Sequence, residues 1–515
     1  MKKQKFLGIE FGSTRIKSVL IDEGANVLAQ GSHEWKSTLK DGLWSYSMEE
    51  VEQGLQASFA DLKKAYQTSF GAPLTEVSAI GVSAMMHGYL AFDRDGNLLV
   101  PFRTWQNTNT AQAAEELSAL FSFNIPQRWS VSHFYQAVLN GEPHVSKVAH
   151  LNTLAGYVHE RLTGKRVLGV GDASGMFPLD GSDYNGRMLA LMQEKLQEKG
   201  VSVSFASLLP QILVAGEEAG KLTEEGAKWL DPTGTLAAGC VLCPPEGDAG
   251  TGMIATNSVR PRTANISAGT SGFLMAVLER DLSKPYPEID VVATPMGAPV
   301  AMIHVNNFTS EINAWASLLR EAVTLGGGSV KSGEWFDLLY HLAEQGDEDC
   351  GGLVGYNFRA GEPIAGVEKG VPLIMQRPEG KLTLANFMKM QLYSALGSLS
   401  MGMRLLHEEQ IELDSVCGHG GFFKAGKVCM SAMSAAVGAP VTVLQNAGEG
   451  GAWGIAILAL LTAVGEQNAD DFLDRLFASS ESVTVDADER ELTAFQTFMA
   501  QYEAFLAVER LAATR

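Results

Sequence analysis

Gly8-Ile9-Glu10-Phe11-Gly12-Ser13-Thr14, running on into Val19-Leu20, is echoed by Asn265-Ile266-Ser267-Ala268-Gly269-Thr270-Ser271, running on into Val277-Leu278. Each copy reads as an apolar strand, a turn built from Gly with Ser or Thr, and a second strand. One such turn is ordinary chemistry for reversing a chain. Two of them, half a chain length apart, predict a pair of similar domains that each offer a hairpin turn to a shared ligand.

Around the first copy, strands and helices alternate. Ser47 and Glu50 form a capping box, and Val51, Leu55, Phe59, Leu62 and Tyr66 follow at helical spacing. Val77 to Ser83 and Tyr89 to Phe92 read as strands on either side of the loop Ala84-Met85-Met86-His87-Gly88, and Asp95-Gly96 closes a further hairpin. From about Ala469 the pattern turns helical, first through Phe472, Leu473, Leu476 and Phe477, then through Phe495, Phe498, Tyr502 and Leu506. Strands interspersed with amphipathic helices predict an α/β fold, and 515 residues exceed the usual size of one domain.

Lysine and arginine number 39 against 59 aspartates and glutamates, a formal charge of −20 that repels phosphate backbones and anionic lipid. No basic patch offsets it, so neither nucleic acid nor membrane is an expected partner. A hydrophobic content of 46% with 19% charged residues belongs to a folded chain, not a disordered one. Five cysteines, an odd number in a long chain, point to a reducing, cytoplasmic compartment. Cys240 and Cys243 stand at CxxC spacing, but no second pair follows at zinc-ribbon spacing, and small buried side chains are the better reading. Glu10 and Gly12 interrupt the first apolar run before a signal-peptide core is complete. The longest apolar run, Ala452 to Val464, is shorter than the roughly 20 residues that cross a bilayer.

Turns of small residues expose backbone N–H groups, and these, with Ser and Thr hydroxyls, bind phosphate oxygens without net positive charge. That chemistry suits an acidic nucleotide-binding protein. The commoner phosphate motifs are missing: no GxxxxGK[ST] occurs, and no GxGxxG follows a strand. A magnesium nucleotide held between two turns also needs carboxylates, and Glu10 and Asp248 stand at or shortly before the two turns.

Four stretches then follow in order: Gly8 to Thr14 with Lys17, Glu246-Gly247-Asp248-Ala249-Gly250, Ser267-Ala268-Gly269-Thr270-Ser271-Gly272, and Gly418-His419-Gly420-Gly421. In order and spacing they resemble the motifs of the FGGY carbohydrate kinases, and the resemblance covers nearly the whole chain. Met86-His87-Gly88, Asp172-Ala173-Ser174-Gly175 and Gly361-Glu362-Pro363 look most like the xylulokinases of that family. The resemblance implies an actin/hexokinase-like fold of two ribonuclease-H-like domains, with sugar and ATP in the cleft between them and helices at the C-terminal end. It assigns residues 1–257 to a sugar-binding domain and residues 258–515 to a nucleotide-binding domain. The implied activity is ATP-dependent phosphorylation of a small neutral sugar, a ketose before a polyol. ATP and Mg²⁺ are the implied cofactors, and a homodimer is left open.

Position by position, the resemblance makes Asp248 the base that takes the proton from the sugar hydroxyl and also a neighbour of Mg²⁺. A carboxylate suits that role because in-line transfer needs a nucleophile held close and stripped of its proton. Glu10 falls where the family usually carries Asp toward Mg²⁺. Gly12, Ser13 and Thr14, with Lys17, match the first phosphate turn; Gly269, Thr270 and Ser271 match the second. Gly420 and Gly421 match the turn over the adenine, and Gly448 stands at the head of a helix on its other side. Met86, His87, Trp105 and Asn107 match sugar-site segments.

The chain departs from the family at Asn107 and Asn109, at His419, Phe422 and Phe423, at Phe134-Tyr135-Gln136-Ala137, and at Asn306 to Glu311. Of these, Asn107, Asn109, Asn306 and Asn307 predict a sugar pocket lined by uncharged amides, while His419, Phe422 and Phe423 bear on the choice of nucleotide. An actin-like ATPase and a catalytically silent sugar sensor share the turns and the cleft. Asp248 within GDAG and the His87 loop argue against the first, and the full set of Glu10, both turns and Asp248 argues against the second.

Overall fold

The computed structural model describes residues 4–444, 450–466 and 468–514. Two mixed sheets carry the fold and repeat one plan. The first holds β1 (Phe6–Phe11), β2 (Arg15–Ile21), β3 (Val27–Glu34), β4 (Ala79–Ala84), β5 (Val241–Leu242) and β6 (Glu246–Gly247). β1 and β2 form an antiparallel hairpin extended by β3, while β4 runs parallel to β1 on its other side and takes β5 and β6.

The second sheet holds β7 (Thr263–Ala268), β8 (Gly272–Val277), β9 (Ile289–Ala293), β10 (Pro299–Val305), β11 (Ser415–His419), β12 (Val441–Leu444) and β13 (Ser482–Val485). Here β7 and β8 are the hairpin, β10 and β9 extend it, and β11 runs parallel to β7 on its other side, followed by β12. The sequence repeat is therefore the hairpin at the centre of each sheet. β13, antiparallel to β12, interrupts the region read as helical; the short alternation Ser482-Val483-Thr484-Val485 is a strand signal lost between two helices.

Central strands are apolar on both faces because helices cover both: Phe6, Leu7, Ile9 and Phe11 are all buried. One cover is the helix Met48–Phe70, begun by the expected capping box. Ser47 Oγ accepts from Glu50 N (3.1 Å), and the Glu50 carboxylate accepts from Ser47 N (3.2 Å). Its stripe of Val51, Leu55, Phe59 and Leu62 is buried.

The other cover comes from far along the chain. The helix Gly450–Val464 lies against β1 and β4, where Gly8 and Gly81 are register partners. A Cβ at Gly81 would stand 2.6 Å from Ile455 O, and one at Gly8 would overlap Ala452 O. Glycine at both positions lets the helix backbone approach the sheet. The helix is apolar on every side because it is buried on every side. Its core continues through Met275, Val292, Val300 and Met302 of the second sheet, which ties the halves together.

No single helix among the described residues is long and apolar enough to cross a membrane. All five cysteines are free thiols; burial pushes Cys240 up to about 12 and also raises Cys243, which packs on Gly81.

Candidate active site

The two sheets face one cleft of about 1580 Å³ with residues of both halves in its wall. Asp248 opens the helix Asp248–Ala255, with Gly247 as its N-cap. Asp248 Oδ1 accepts from Met86 N (3.1 Å) and from Ala249 N (3.0 Å), which leaves Oδ2 to a ligand in the cleft. Burial raises its carboxyl above the ordinary range, and those N–H donors work the other way.

Glu10 stands at the end of β1, directly opposite Lys17 of β2, and both line the cleft. Its carboxylate accepts the N–H groups of Gly451 and Ala452 at the positive end of the helix Gly450–Val464. A Cβ at Gly451 would overlap that carboxylate. Burial raises the Glu10 carboxyl, Lys17 lowers it, and the charge of Asp248 raises it again, so the two acids feel one another. No cluster of three or more His, Cys, Asp and Glu side chains among the described residues forms a metal cage. Two carboxylates beside the turns expected to bind phosphate are the hard oxygen donors that would suit a Mg²⁺ keeping most of its shell from phosphate and water.

Met86 and His87 form the loop after β4. His87 takes a left-handed backbone, φ +70°, uncommon for a residue with a side chain. Its Nδ1–H donates to Gly175 O (3.3 Å), so Nε2 is left as an acceptor. Burial, then the nearby Arg128 charge, hold the ring neutral. A Cβ at Gly175 would stand 2.6 Å from His87 Nδ1, which explains the glycine that ends Asp172-Ala173-Ser174-Gly175. Two further acids, Asp172 and Glu246, lie buried behind the loop. Glu246 accepts from Asp172 N (3.0 Å), and Asp172 accepts from Thr153 Oγ1 (2.6 Å). Burial pushes Asp172 up to about 7 and Glu246 up to about 8.

Trp105 is 38% exposed at the wall of the cleft. Asn107 also lines it, but its amide is committed elsewhere: Oδ1 accepts from Trp44 N (2.9 Å), and Nδ2 donates to Trp44 O (2.9 Å) and Thr104 O (3.0 Å). Asn306 Nδ2 donates to Gly361 O (2.8 Å), and the Asn307 amide is held by residues 359–362. Asn107 and Asn306 thus stand in the wall of the cleft, as expected from the sequence, and their amides also hold loops together. Charged residues that the sequence did not single out, Arg128 and Asp290, line the cleft as well.

Of the residues expected to bind nucleotide, Ser13 and Lys17 face the cleft, while Gly12 and Thr14 belong to the same turn. Gly12 N donates to Arg15 O (3.1 Å), and Tyr46 OH donates to Ser13 O (2.6 Å). Gly269, Thr270 and Ser271 form the β7–β8 turn, outside the wall itself. Phe308 N (2.9 Å to Thr270 O) and Thr309 Oγ1 (2.7 Å to Gly269 O) hold its carbonyls. Gly420, at φ +108°, packs on Ala268, and a Cβ at Gly421 would meet nothing within 4 Å. Gly448 lies outside the described residues.

Two family profiles match in chain order: FGGY family of carbohydrate kinases, N-terminal domain, over residues 5–240, and the C-terminal domain of the same family over residues 264–463. The chain belongs to the FGGY family of carbohydrate kinases. The two-domain organisation expected from the motifs is that of this FGGY family, whose name is that of carbohydrate kinases. The FGGY chain is similar to the xylulose kinase of Escherichia coli (strain K12), 26% identical over 290 residues, covering 54% of this chain and 56% of that protein. It thus spans about half the length of this curated relative. Two solved structures share its fold almost end to end. One is the xylulose kinase from Rhodospirillum rubrum, with a TM-score of 0.79, 17% identity and coverage of 99% of this chain and 100% of that one. The other is a gluconate kinase from Lactobacillus acidophilus, with a TM-score of 0.80, 16% identity and 99% coverage of each chain. Names so different on one fold leave the choice of sugar to the cleft's own side chains.

Proposed function

We propose that this FGGY protein transfers the γ-phosphate of ATP to a hydroxyl of a small neutral sugar, a ketose before a polyol, with Asp248 as general base. The observation that carries the reading is the bond from Met86 N to Asp248 Oδ1, which ties the base to the loop bearing His87. Asp248 Oδ2 takes the proton of the attacking hydroxyl, and a carboxyl raised by burial is a better base for that step. His87 Nε2 accepts from a second hydroxyl and brings no charge with it. Ser13, Lys17 and the Gly269-Thr270-Ser271 turn hold the phosphates, and Gly420 and Gly421 flank the base of the nucleotide. Glu10 and Asp248 are the residues that would hold Mg²⁺, which neutralises phosphate charge when bound. Five free thiols support a reducing, cytoplasmic setting.

The test is ADP release by purified protein over a panel of pentuloses, hexuloses and polyols. Asp248→Asn keeps the two N–H bonds at Oδ1 but cannot take the proton. Its turnover should fall by about 10²–10⁴ with ATP and sugar binding retained. Near wild-type turnover in that variant, or ADP release that no sugar increases, rejects the reading.

A further inference from the structure

One end of the cleft is walled by both halves of the chain. From the second sheet, Phe273, Met275, Asp290, Met302 and His304 line it. They share one face of the sheet, since Phe273 pairs with His304, Met275 with Met302, and Asp290 with Met302. Opposite stands Arg128 of the first half, anchored beside the sugar loop because its carbonyl accepts from Gly88 N (3.1 Å). Arg128 Nη2 donates to Asp290 Oδ2, and Asn124 Nδ2 donates to Asp290 Oδ1 and to Ile289 O (3.0 Å each). Only 24% of the Arg128 side chain and 11% of that of Asp290 are exposed. His87, Arg128 and His304 all line the cleft; burial first, then the guanidinium charge, lowers both imidazoles.

We propose that Arg128 and Asp290 together read the hydroxyls of the sugar, and that Asp290 is the residue that excludes sugar acids from this cleft. A lone guanidinium in a half-buried pocket is a carboxylate receptor, because its planar fork matches two oxygens. Asp290 already occupies that fork and offsets its charge. The ion pair engages Nη2, which leaves Nε and Nη1 to donate to hydroxyl oxygens. A ligand carboxylate would have to displace Asp290 and leave it buried without its counter-charge, held by Asn124 alone, an arrangement that counts against the wrong ligand.

The inference rests on the neutral-sugar reading above, and its test is binding, which needs no turnover. Asp290→Asn keeps the size of the side chain and an acceptor for Asn124, while Arg128 loses its counter-charge. D-gluconate, titrated by calorimetry, should bind Asp290→Asn about tenfold or more tightly than it binds wild type. Arg128→Gln, made separately, should bind the best neutral sugar of the panel about tenfold or more weakly and gain no gluconate affinity. Unchanged gluconate affinity in Asp290→Asn, or unchanged neutral-sugar affinity in Arg128→Gln, overturns the proposal. If Asp290→Asn does not fold by circular dichroism, Arg128→Gln decides alone. Failure of the underlying reading shows elsewhere, as wild-type protein whose ADP release no neutral sugar increases.

Discussion

Gly175→Ala isolates the support of the loop that carries His87. Gly175 has φ −85°, a conformation alanine adopts freely, so the effect of the substitution is steric. The new Cβ would stand 2.6 Å from His87 Nδ1 and 3.0 Å from His87 Cε1 and Met86 Cε. Something must shift, and the backbone of Met86 is pinned by Asp248, so the His87 ring moves. Overpacking of this kind costs about 1–3 kcal/mol, and it breaks the ring's bond to Gly175 O, itself worth roughly 0.5–1.5 kcal/mol. If the strain is borne where His87 meets the sugar, kcat/KM for the best sugar falls about 5- to 150-fold at 1.36 kcal/mol per decade. The assay is initial-rate kinetics with sugar varied at saturating ATP, then ATP varied at saturating sugar, alongside a thermal melt. The KM for ATP should hold. A kcat/KM for sugar within about twofold of wild type, or an equal rise in both KM values, refutes a role for this contact in sugar binding.

Gly269→Val should weaken ATP binding well beyond sugar binding, read by calorimetry for each ligand; a Cβ there meets only Ser271 O at 3.7 Å, so the fold should survive. Gly8→Val places methyl groups in the backbone of the helix Gly450–Val464 and should destabilise by about 3 kcal/mol or more in chemical denaturation. Asp172 and Glu246 make stability depend on pH, because their folded values of about 7 and about 8 lie above those of exposed carboxyls. Their contribution is fully present below the unfolded values and is lost as pH rises through the folded ones. Denaturation midpoints should therefore fall as pH rises from about 4 to about 8, and Asp172→Asn should flatten that slope; an unchanged slope refutes the assignment.

Local chemistry made much of this protein legible from residue order alone. A strand, a Gly-Ser/Thr turn and a second strand read as a hairpin, and their repetition at Gly8 and Asn265 announced the centre of both sheets. The Ser47–Glu50 box marked its helix for the same reason, since both partners lie within one turn. Asp248, Glu10 and the Met86–His87 loop were legible through motif order, and the cleft brings them together.

What the chain order could not reveal depends on contacts between distant residues. The run Ala452–Val464 signals an apolar helix, but its place on the first sheet follows from Gly8 and Gly81, which alone leave room for its backbone. Asn107 has the chemistry of a sugar ligand, but that its amide also fastens the Trp44 backbone shows only in the fold. Arg128 and Asp290 stand 162 positions apart, each an unremarkable charge by itself. Backbone preference and hydrophobic period are written locally, residue by residue. The partner that satisfies a buried polar group is chosen by whatever the fold brings within about 3 Å of it, so the composition of the pocket was decided by tertiary structure.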